Sequence, residues 1–290
     1  MSSFLFHAVS TDGNKHNLLY PQENLTIDLF DEFISTVLEY GNTFIEPNDL
    51  LTKLTDPHKK YALLTFDDGY FNNTWIVDVL NKYNVPAVFF ITSNLILENE
   101  KNWADIVYYE RKSRGMSNSK IHNEIVALSS QRIRDIKSYL TREFGLKCFI
   151  PKGDQDRMMN VQELKEFSQS KFVHIGNHSR NHEALAGLSE HECLEELQES
   201  QVVLSQIIGY RPTFISYPYG SYNEDVIYIA KQVGFDLGIT TIQSKNKIPI
   251  TGNQLMKLNR FNPVVENDRF NFDSLRSPFQ MKTLLKRLLQ

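Results

Sequence analysis

The sequence predicts an α/β fold with a largely parallel sheet or barrel, and two observations support this. Short apolar segments rich in Phe, Val and Ile recur along the chain, bounded by Gly, Pro or Asn. Segments with the apolar spacing of helices follow them, and this alternation is typical of successive βα units. The expected strands cover residues 4–9, 61–66, 86–91, 172–175, 213–217, 235–239 and 255–258.

Two of the predicted helices have clear boundaries. Apolar residues within 26–40 lie on one helical face, and Gly41 can end this helix. Ser189, with Glu192 three residues later, forms the pattern of a capping box, so a helix begins there and Gly209 can close it. In such folds the residues that follow strands gather at one end of the barrel, where catalytic groups usually lie.

Two regions interrupt this alternation. Within a domain of residues 1–277, residues 98–156 are polar, charged and helical in pattern, which indicates a helical insertion that could form a wall of a substrate cleft. Residues 278–290 have the pattern of an amphipathic helix, with Ser277 as N-cap and Pro278 at its first position. This C-terminal helix either packs on the domain or makes a weak contact with a membrane surface or a partner.

Composition and charge are those of an ordinary globular protein. The 290 residues carry a net charge of −4, which argues against nucleic-acid binding. No apolar segment reaches the roughly 18 residues of a membrane span, and we expect no secretory leader. We therefore expect a cytoplasmic protein, or one peripheral at the inner membrane if its C-terminal helix binds lipid. Cys148 and Cys193 are then reduced thiols.

Two adjacent carboxylates follow the expected strand 61–66. Asp67 and Asp68 stand directly after its apolar residues and before Gly69. Burying two carboxylates is costly unless a cation binds them. A metal ion bound by one would also keep the other ionised and able to accept a proton. The alternative is a plain Asp-Asp-Gly turn before the next helix.

A histidine pair follows the expected strand 172–175. His178 and His182 are four residues apart, which would place both rings on one side of a helical turn, as metal ligands require. Alone, this spacing also occurs in solvated histidine pairs. Together with one carboxylate, two His side chains form a ligand set of catalytic metal sites that keep positions open to water.

A third motif, Tyr217-Pro218-Tyr219-Gly220, follows the expected strand 213–217. Pro and Gly shape a turn that can present backbone N–H groups to a reacting oxygen. Alone, the same composition also suits an ordinary turn at the end of a strand.

In order and in placement, the three motifs resemble those of the polysaccharide deacetylase family, the carbohydrate esterases of family 4 that share the NodB homology domain. Residues 85–90 are similar to the second strand of that family, and the resemblance covers roughly residues 4–260 without the insertion. It implies a distorted (β/α) barrel of the NodB type and a divalent metal, usually zinc.

The resemblance also implies roles for residues of the three motifs. Asp68, His178 and His182 would bind the metal, and Asp67 would be the base that deprotonates the attacking water. The backbone N–H of Tyr219 would help to hold the oxyanion. The implied reaction is the hydrolytic removal of an N-acetyl group from an amino sugar.

The sequence departs from the commonest family pattern at two positions. That pattern has a catalytic His near the end of the domain, but no His follows His191 here. A subset similar to poly-N-acetylglucosamine deacetylases has a His in the first strand, so His7 is the candidate acid for the leaving amine. Ser216 replaces the usual Arg of the third motif, and Arg260 is the candidate to keep Asp67 ionised. Either His7 or Arg260 could instead be purely structural.

The expected substrate is an N-acylated sugar of a surface-glycan precursor, linked to a nucleotide or a lipid. The expected cytoplasmic location argues against an assembled wall polymer. One alternative is an N-deformylase or another amidohydrolase at the same metal site. Another is a catalytically silent sugar-binding module, against which Asp67 speaks because binding needs no base.

Overall fold

Seven parallel strands form a sheet that curls into a half-barrel in a computed structural model of this chain. The structure describes residues 1–21, 25–52, 54–263, 265–266 and 269–270. The strands are β1 (Ser2–Phe6), β2 (Asn42–Phe44), β3 (Lys60–Phe66), β4 (Ala87–Ile91), β5 (Val173–Asn177), β6 (Phe214–Ser216) and β7 (Leu237–Ile239). Their order is β1-β3-β4-β5-β6-β7, and β2 also pairs with β3. The predicted α/β barrel is therefore confirmed.

Helices connect the strands and surround the sheet. They are α1 (Ile27–Glu39), α2 (Asp49–Thr52), α3 (Val77–Tyr83), α4 (Ser93–Glu98), α5 (Trp103–Ser113), α6 (Asn118–Leu128), α7 (Ile133–Phe144), α8 (Val161–Phe167), α9 (Glu190–Ile208) and α10 (Glu224–Val233). The predicted boundaries of α9 are confirmed, with a capping box between Ser189 and Glu192 and a left-handed Gly209 at its end. In the part of the chain that the structure describes, no helix is long and apolar enough to cross a membrane.

The segment 258–261 closes the gap between the first and last strands of the sheet. Leu258 bridges Ile239 of β7, and Phe261 bridges Phe4 of β1. The strand expected at 255–258 is wrong, because Gly252–Met256 is a 3-10 helix and pairing begins only at Leu258. The short strand β2 was not predicted, since three residues carry too little periodicity. A short antiparallel pair, β8 (Val265–Glu266) and β9 (Arg269–Phe270), follows the closing segment.

Alternate residues of β3 belong to two separate apolar cores. Leu64 and Phe66 belong to the outer core, where the Phe66 ring lies 5.6 Å from that of Phe30 on α1. Leu63 belongs to a second core formed by residues of β4, β6 and β7. Since side chains alternate along a strand, Asp67 continues the Leu63 face and points to the barrel interior.

The predicted insertion at 98–156 is helical, and α5, α6 and α7 share an apolar core of their own. A buried ion pair joins its two ends, with Lys101 Nζ 2.6 Å from Asp156 Oδ2. The insertion therefore begins and ends at one fixed point beside the barrel. The helix expected at 278–290 lies outside the described residues, as does the boundary drawn at residue 277.

Candidate metal centre and active site

The predicted site residues meet at the carboxyl ends of the parallel strands. Asp67 and Asp68 follow β3, and His178 follows β5. His7 follows β1, and Arg260 lies on the closing segment next to it. The topology therefore brings together residues up to 253 positions apart in the chain, from His7 to Arg260.

Asp68, His178 and His182 form a cluster suited to a metal ion. One ligand atom from each lies within 4.8 Å of the other two. Asp68 Oδ1 is 3.5 Å from His178 Nε2 and 3.3 Å from His182 Nε2. This buried oxygen has no hydrogen-bond partner among the described residues. A carboxylate oxygen facing two imidazole nitrogens without a donor fits a divalent cation, which would satisfy all three.

The charge state of these three groups also fits a cation. Burial lowers the pKa of His178 and of His182 to about 4, so both rings are neutral and able to coordinate near neutral pH. Burial raises the pKa of Asp68, because without a cation its charge is poorly compensated. A bound divalent ion would remove this penalty.

The histidine motif is not helical, so the predicted helical turn is wrong. Residues 178–182 form an irregular loop, in which Ser179 and His182 have φ angles of 64° and 62°. Hydrogen bonds stabilise this left-handed backbone: Ser179 N–H donates to Asn177 Oδ1, and His182 N–H donates to Ser179 Oγ. The loop, rather than helical spacing, places both rings beside Asp68.

The ring of His178 has a fixed orientation. Its Nδ1 lies 2.8 Å from the carbonyl oxygen of Ser216, which can only accept a hydrogen bond. Nδ1 therefore carries the proton, and Nε2 presents its lone pair towards Asp68.

Asp67 is held by a buried, two-point ion pair. Arg260 donates from Nη1 to Oδ1 and from Nη2 to Oδ2, each over 2.8 Å, and the Arg260 residue is 1% exposed. Burial alone would raise the pKa of Asp67, but the charge of Arg260 and its hydrogen bonds hold it well below its usual range. Asp67 is therefore ionised and fixed in orientation.

Ser216 and Thr65 complete the surroundings of this ion pair. Ser216 Oγ donates to Asp67 Oδ2 over 3.1 Å and accepts from Arg260 Nη2 over 3.0 Å. Thr65 Oγ1 accepts from Arg260 Nη1 over 3.1 Å. Ser216 stands where the family pattern has Arg, and here the guanidinium beside Asp67 comes from Arg260 on the closing segment 258–261. Sequence reasoning noted Ser216 only as a departure and did not identify Thr65.

His7 lines the same cleft as the candidate ligands. The cleft has a volume of about 320 Å³, and Asp67, Asp68, His178 and His182 lie on its wall. The backbone carbonyl of His7 accepts a hydrogen bond from Asn73 Nδ2 over 2.7 Å, which fixes the end of β1. This location suits a proton donor to a bound substrate, and the role of His7 as the acid stays a prediction.

Tyr219 also lines the cleft, with 38% of its surface exposed. Its φ of 57° lies inside the 3-10 helix Pro218–Gly220, so this turn has a left-handed residue at its centre. Its ring lies edge-on to His182, with 4.5 Å between ring centroids. The part of its backbone N–H in holding an oxyanion stays a prediction.

Two contacts from the insertion were missed by sequence reasoning. Asn102 Nδ2 donates to Asp68 Oδ2 over 2.9 Å, and Trp103 Nε1 donates to the hydroxyl of Tyr219 over 2.9 Å. Ile125 and Val126 of α6 also line the cleft. The local signal for Asn102 is its position before a helix, which identifies an N-cap but gives no sign of a contact with Asp68.

One protein family and two curated relatives are similar to this chain in sequence. The family model described as "Polysaccharide deacetylase" matches residues 55–238. YxkH of Bacillus subtilis (strain 168), proposed to be a polysaccharide deacetylase, is 24% identical over 241 residues, covering 82% of this chain and 63% of YxkH. The peptidoglycan-N-acetylmuramic acid deacetylase PdaC of the same strain is 40% identical over 173 residues, covering 59% of this chain and 24% of PdaC. The chain thus spans less than two thirds of the length of either relative.

A solved structure of a de-N-acetylase from Aggregatibacter actinomycetemcomitans has the same fold. It is 18% identical to this chain, with a TM-score of 0.64, and the match covers 96% of this chain and 99% of that one. At this level of identity the similarity supports the architecture, while the site rests on the contacts described above.

Proposed function

The chain belongs to the polysaccharide deacetylase family, and on this basis we propose that it is a metal-dependent hydrolase that removes the N-acetyl group from an amino sugar of a glycan. The observation that carries the proposal is the pairing of two environments in one cleft. Asp68, His178 and His182 form a cluster in which Asp68 Oδ1 has no hydrogen-bond partner among the described residues, and Asp67 Oδ2 lies 3.7 Å from His178 Nε2.

Asp68, His178 and His182 would hold the metal, which we propose to be zinc because two His and one carboxylate are a common zinc ligand set. When bound, the ion supplies a Lewis acid that polarises an oxygen and lowers the pKa of water. The remaining chemistry depends on the side chains of this chain.

Asp67 accepts the proton of the attacking water. Arg260 keeps its carboxylate ionised and aligned, so it can accept at any pH near neutrality. The ion pair with Arg260 also makes Asp67 a weak base. Its contribution to the rate therefore depends on its position beside the attacking water and on a lowered pKa of that water. The backbone N–H of Tyr219 donates to the oxygen that becomes negative as water adds to the amide carbon.

His7 donates a proton to the sugar nitrogen. An amine leaves only when protonated, because an amide anion is far too basic. His7 lines the same cleft as Asp67, Asp68 and Tyr219. One proton thus moves from water to Asp67, one from His7 to nitrogen, and the products are acetate and a free amino sugar.

The lining of the cleft indicates which part of the substrate it contacts. Among the described residues that line it, Arg260 is the only Lys or Arg, and it is paired with Asp67. The diphosphate of a nucleotide sugar would therefore meet no available guanidinium or ammonium group here. We propose that the cleft recognises uncharged sugar rings through aromatic, amide and hydroxyl groups, on a glycan or on a lipid-linked precursor in the cytoplasm.

Acetate and formate release from a panel of N-acylated substrates tests this function. The panel contains N-acetylated glycan oligomers, lipid-linked N-acetyl sugars, nucleotide N-acetyl sugars and their N-formyl counterparts. We expect zinc-dependent acetate release from the oligomers or the lipid-linked sugars, lost on chelation and restored by zinc. Faster formate release would identify the alternative N-deformylase. No release from any member, with zinc bound, would support a silent binding module.

A further inference from the structure

We propose that Asn102 and Trp103, two adjacent residues at the start of the insertion, are positioning residues that aim two of the three metal ligands. This inference rests on the proposed metal-dependent function. Asn102 acts on Asp68, and Trp103 acts on His182 through Tyr219. The insertion would then set the metal affinity of the barrel, in addition to lining its cleft.

The side-chain amide of Asn102 has only one workable orientation. Its Oδ1 accepts the backbone N–H of Ala104 over 2.9 Å, as the N-cap of α5. Since the partner is an N–H, the atom facing it must be the oxygen, and Nδ2 must face Asp68. Nδ2 donates to Asp68 Oδ2, which leaves Oδ1 of the same carboxylate facing the two histidines without a partner among the described residues. Asn102 thereby selects which oxygen of Asp68 is available to a metal.

His182 depends on packing for its orientation, unlike His178. The Nδ1 atom of His178 bonds to a carbonyl, but the buried Nδ1 of His182 has no hydrogen-bond partner among the described residues. The ring of Tyr219 lies against the His182 ring at 4.5 Å. The indole of Trp103 holds the Tyr219 hydroxyl at 2.9 Å, so the orientation of His182 depends on the insertion.

The insertion is anchored where these two residues begin. Lys101, directly before Asn102, forms the buried ion pair with Asp156 that joins the two ends of the insertion. The Trp103 side chain belongs to the apolar core that α5 shares with α6 and α7. Both contacts to the site therefore come from a rigid point, as precise placement of ligands requires.

Substituting Asn102→Ser separates positioning from folding. Ser is also a favourable N-cap, so α5 keeps its cap while the donor to Asp68 is lost. The matched control is Asn160→Ser, the same change at the exposed N-cap of α8. We expect zinc dissociation constants, measured by chelator competition, to rise about tenfold or more for Asn102→Ser and to stay unchanged for Asn160→Ser.

Substituting Trp103→Phe tests the second contact independently of the first. Phe retains the packing of the ring but lacks the N–H that holds Tyr219. Trp75→Phe is the matched control, because Trp75 is the other tryptophan of the chain and does not line the cleft. We expect a several-fold weaker zinc affinity for Trp103→Phe alone, with loss of acetate release at limiting zinc and recovery when zinc is in excess.

The outcomes distinguish this inference from the proposed function. Wild-type protein that binds zinc, with both variants folded and binding it equally well, would overturn the positioning roles and leave the proposed function intact. Wild-type protein that binds no divalent metal would overturn the proposed function itself. If Asn102→Ser fails to fold, the zinc affinity of Trp103→Phe tests the positioning role of the insertion. An unchanged affinity of that variant would overturn the role of Trp103 acting through Tyr219.

Discussion

The site has two halves, one around Asp67 and one around Asp68, and these neighbouring carboxylates have opposite electrostatic surroundings. Asp67 and Asp68 are adjacent and equally buried, at 3% and 2% exposure. Asp67 has its countercharge built in, because Arg260 binds both of its oxygens. Asp68 accepts a hydrogen bond from the neutral amide of Asn102 on Oδ2, and its Oδ1 has no hydrogen-bond partner among the described residues. The Asp67 carboxylate thus has its countercharge in the folded chain, whereas Asp68 keeps one oxygen suited to a cation, and this difference supports the proposed roles of Asp67 as base and Asp68 as metal ligand.

Removing the countercharge of Asp67 should give the largest effect. We expect Arg260→Met to destabilise the protein by roughly 3–5 kcal/mol, because it leaves a buried carboxylate without its partner. The pKa of Asp67 should rise as well, and turnover should fall. Urea unfolding measures the first effect. Arg134→Met is the control, since that side chain is 81% exposed and its loss should cost within about 0.5 kcal/mol. Equal stability of the two variants would show that the Asp67 half is not held by charge.

His7 lines the cleft beside both carboxylates, and its removal should affect turnover while the Arg260 and Asn102 hydrogen bonds to Asp67 and Asp68 stay in place. We expect His7→Ala to keep its zinc and to lose about 10²-fold to 10⁴-fold in turnover, the usual range for a positioned acid. The alkaline limb of the pH–rate profile should change or vanish with it. His191→Ala is the control, since its side chain is 79% exposed. Turnover of His7→Ala within a few-fold of wild type would require another acid.

Neutralising Asp68 should have the opposite effect on the metal-free protein from neutralising Arg260. In Asp68→Asn the amide oxygen can still accept from Asn102, and a charge that burial disfavours is removed. We expect metal-free Asp68→Asn to be as stable as metal-free wild type, or slightly more stable, while zinc no longer raises its melting temperature. A clear loss of stability without metal would show that Asp68 has a countercharge in the folded chain.

Another buried carboxyl, Asp105, should have a smaller effect, which appears as a pH dependence of the unfolding free energy. Burial raises its pKa to about 7, against hydrogen bonds from the Tyr20 backbone N–H and the Tyr70 hydroxyl. Because the folded pKa lies above the unfolded value of 3.8, the unfolded chain loses this proton first. Stability from this group is therefore present below about pH 4 and is lost as pH rises to 7.

Asp105→Asn should remove that part of the pH dependence. The difference in unfolding free energy between variant and wild type, measured from pH 4 to 7 without metal, should shift in favour of the variant as pH rises. A difference that does not change with pH would mean that Asp105 ionises normally despite its burial.

Much of the barrel, and the gathering of the candidate site residues at one end of it, was readable from sequence. Asp67, Asp68, His178 and His182 stand after apolar strands, and parallel strands bring such positions to one end. The backbone of the histidine motif was not readable, because the loop that contains the left-handed Ser179 and His182 is held by α9, where Glu196 Oε2 accepts from the backbone N–H groups of Arg180 and Asn181. Spacing alone therefore predicted a helical turn that the structure does not have.

The groups that orient the ligands were the hardest to predict. Asn102 carries an ordinary N-cap signal, and its second hydrogen bond spans 34 residues to Asp68. Trp103 reaches Tyr219 across 116 residues. Arg260 was predicted to lie beside Asp67 because Ser216 replaces the usual Arg of the third motif. Its actual position, however, depends on closure of the barrel by residues 258–261. Such long-range contacts depend on the topology of the chain, which cannot be read from the local sequence pattern.

The central claim is that Asp67 is a base and Asp68 a metal ligand, and acetate release by Asp67→Asn tests it most directly. Asn keeps the shape of Asp67 but cannot accept the proton of water, and Asp236→Asn, at an exposed position, is the control. We predict that Asp67→Asn retains about one zinc per chain and loses at least ~10²-fold in turnover, while Asp236→Asn keeps both. Zinc-bound Asp67→Asn with turnover close to wild type would contradict the account.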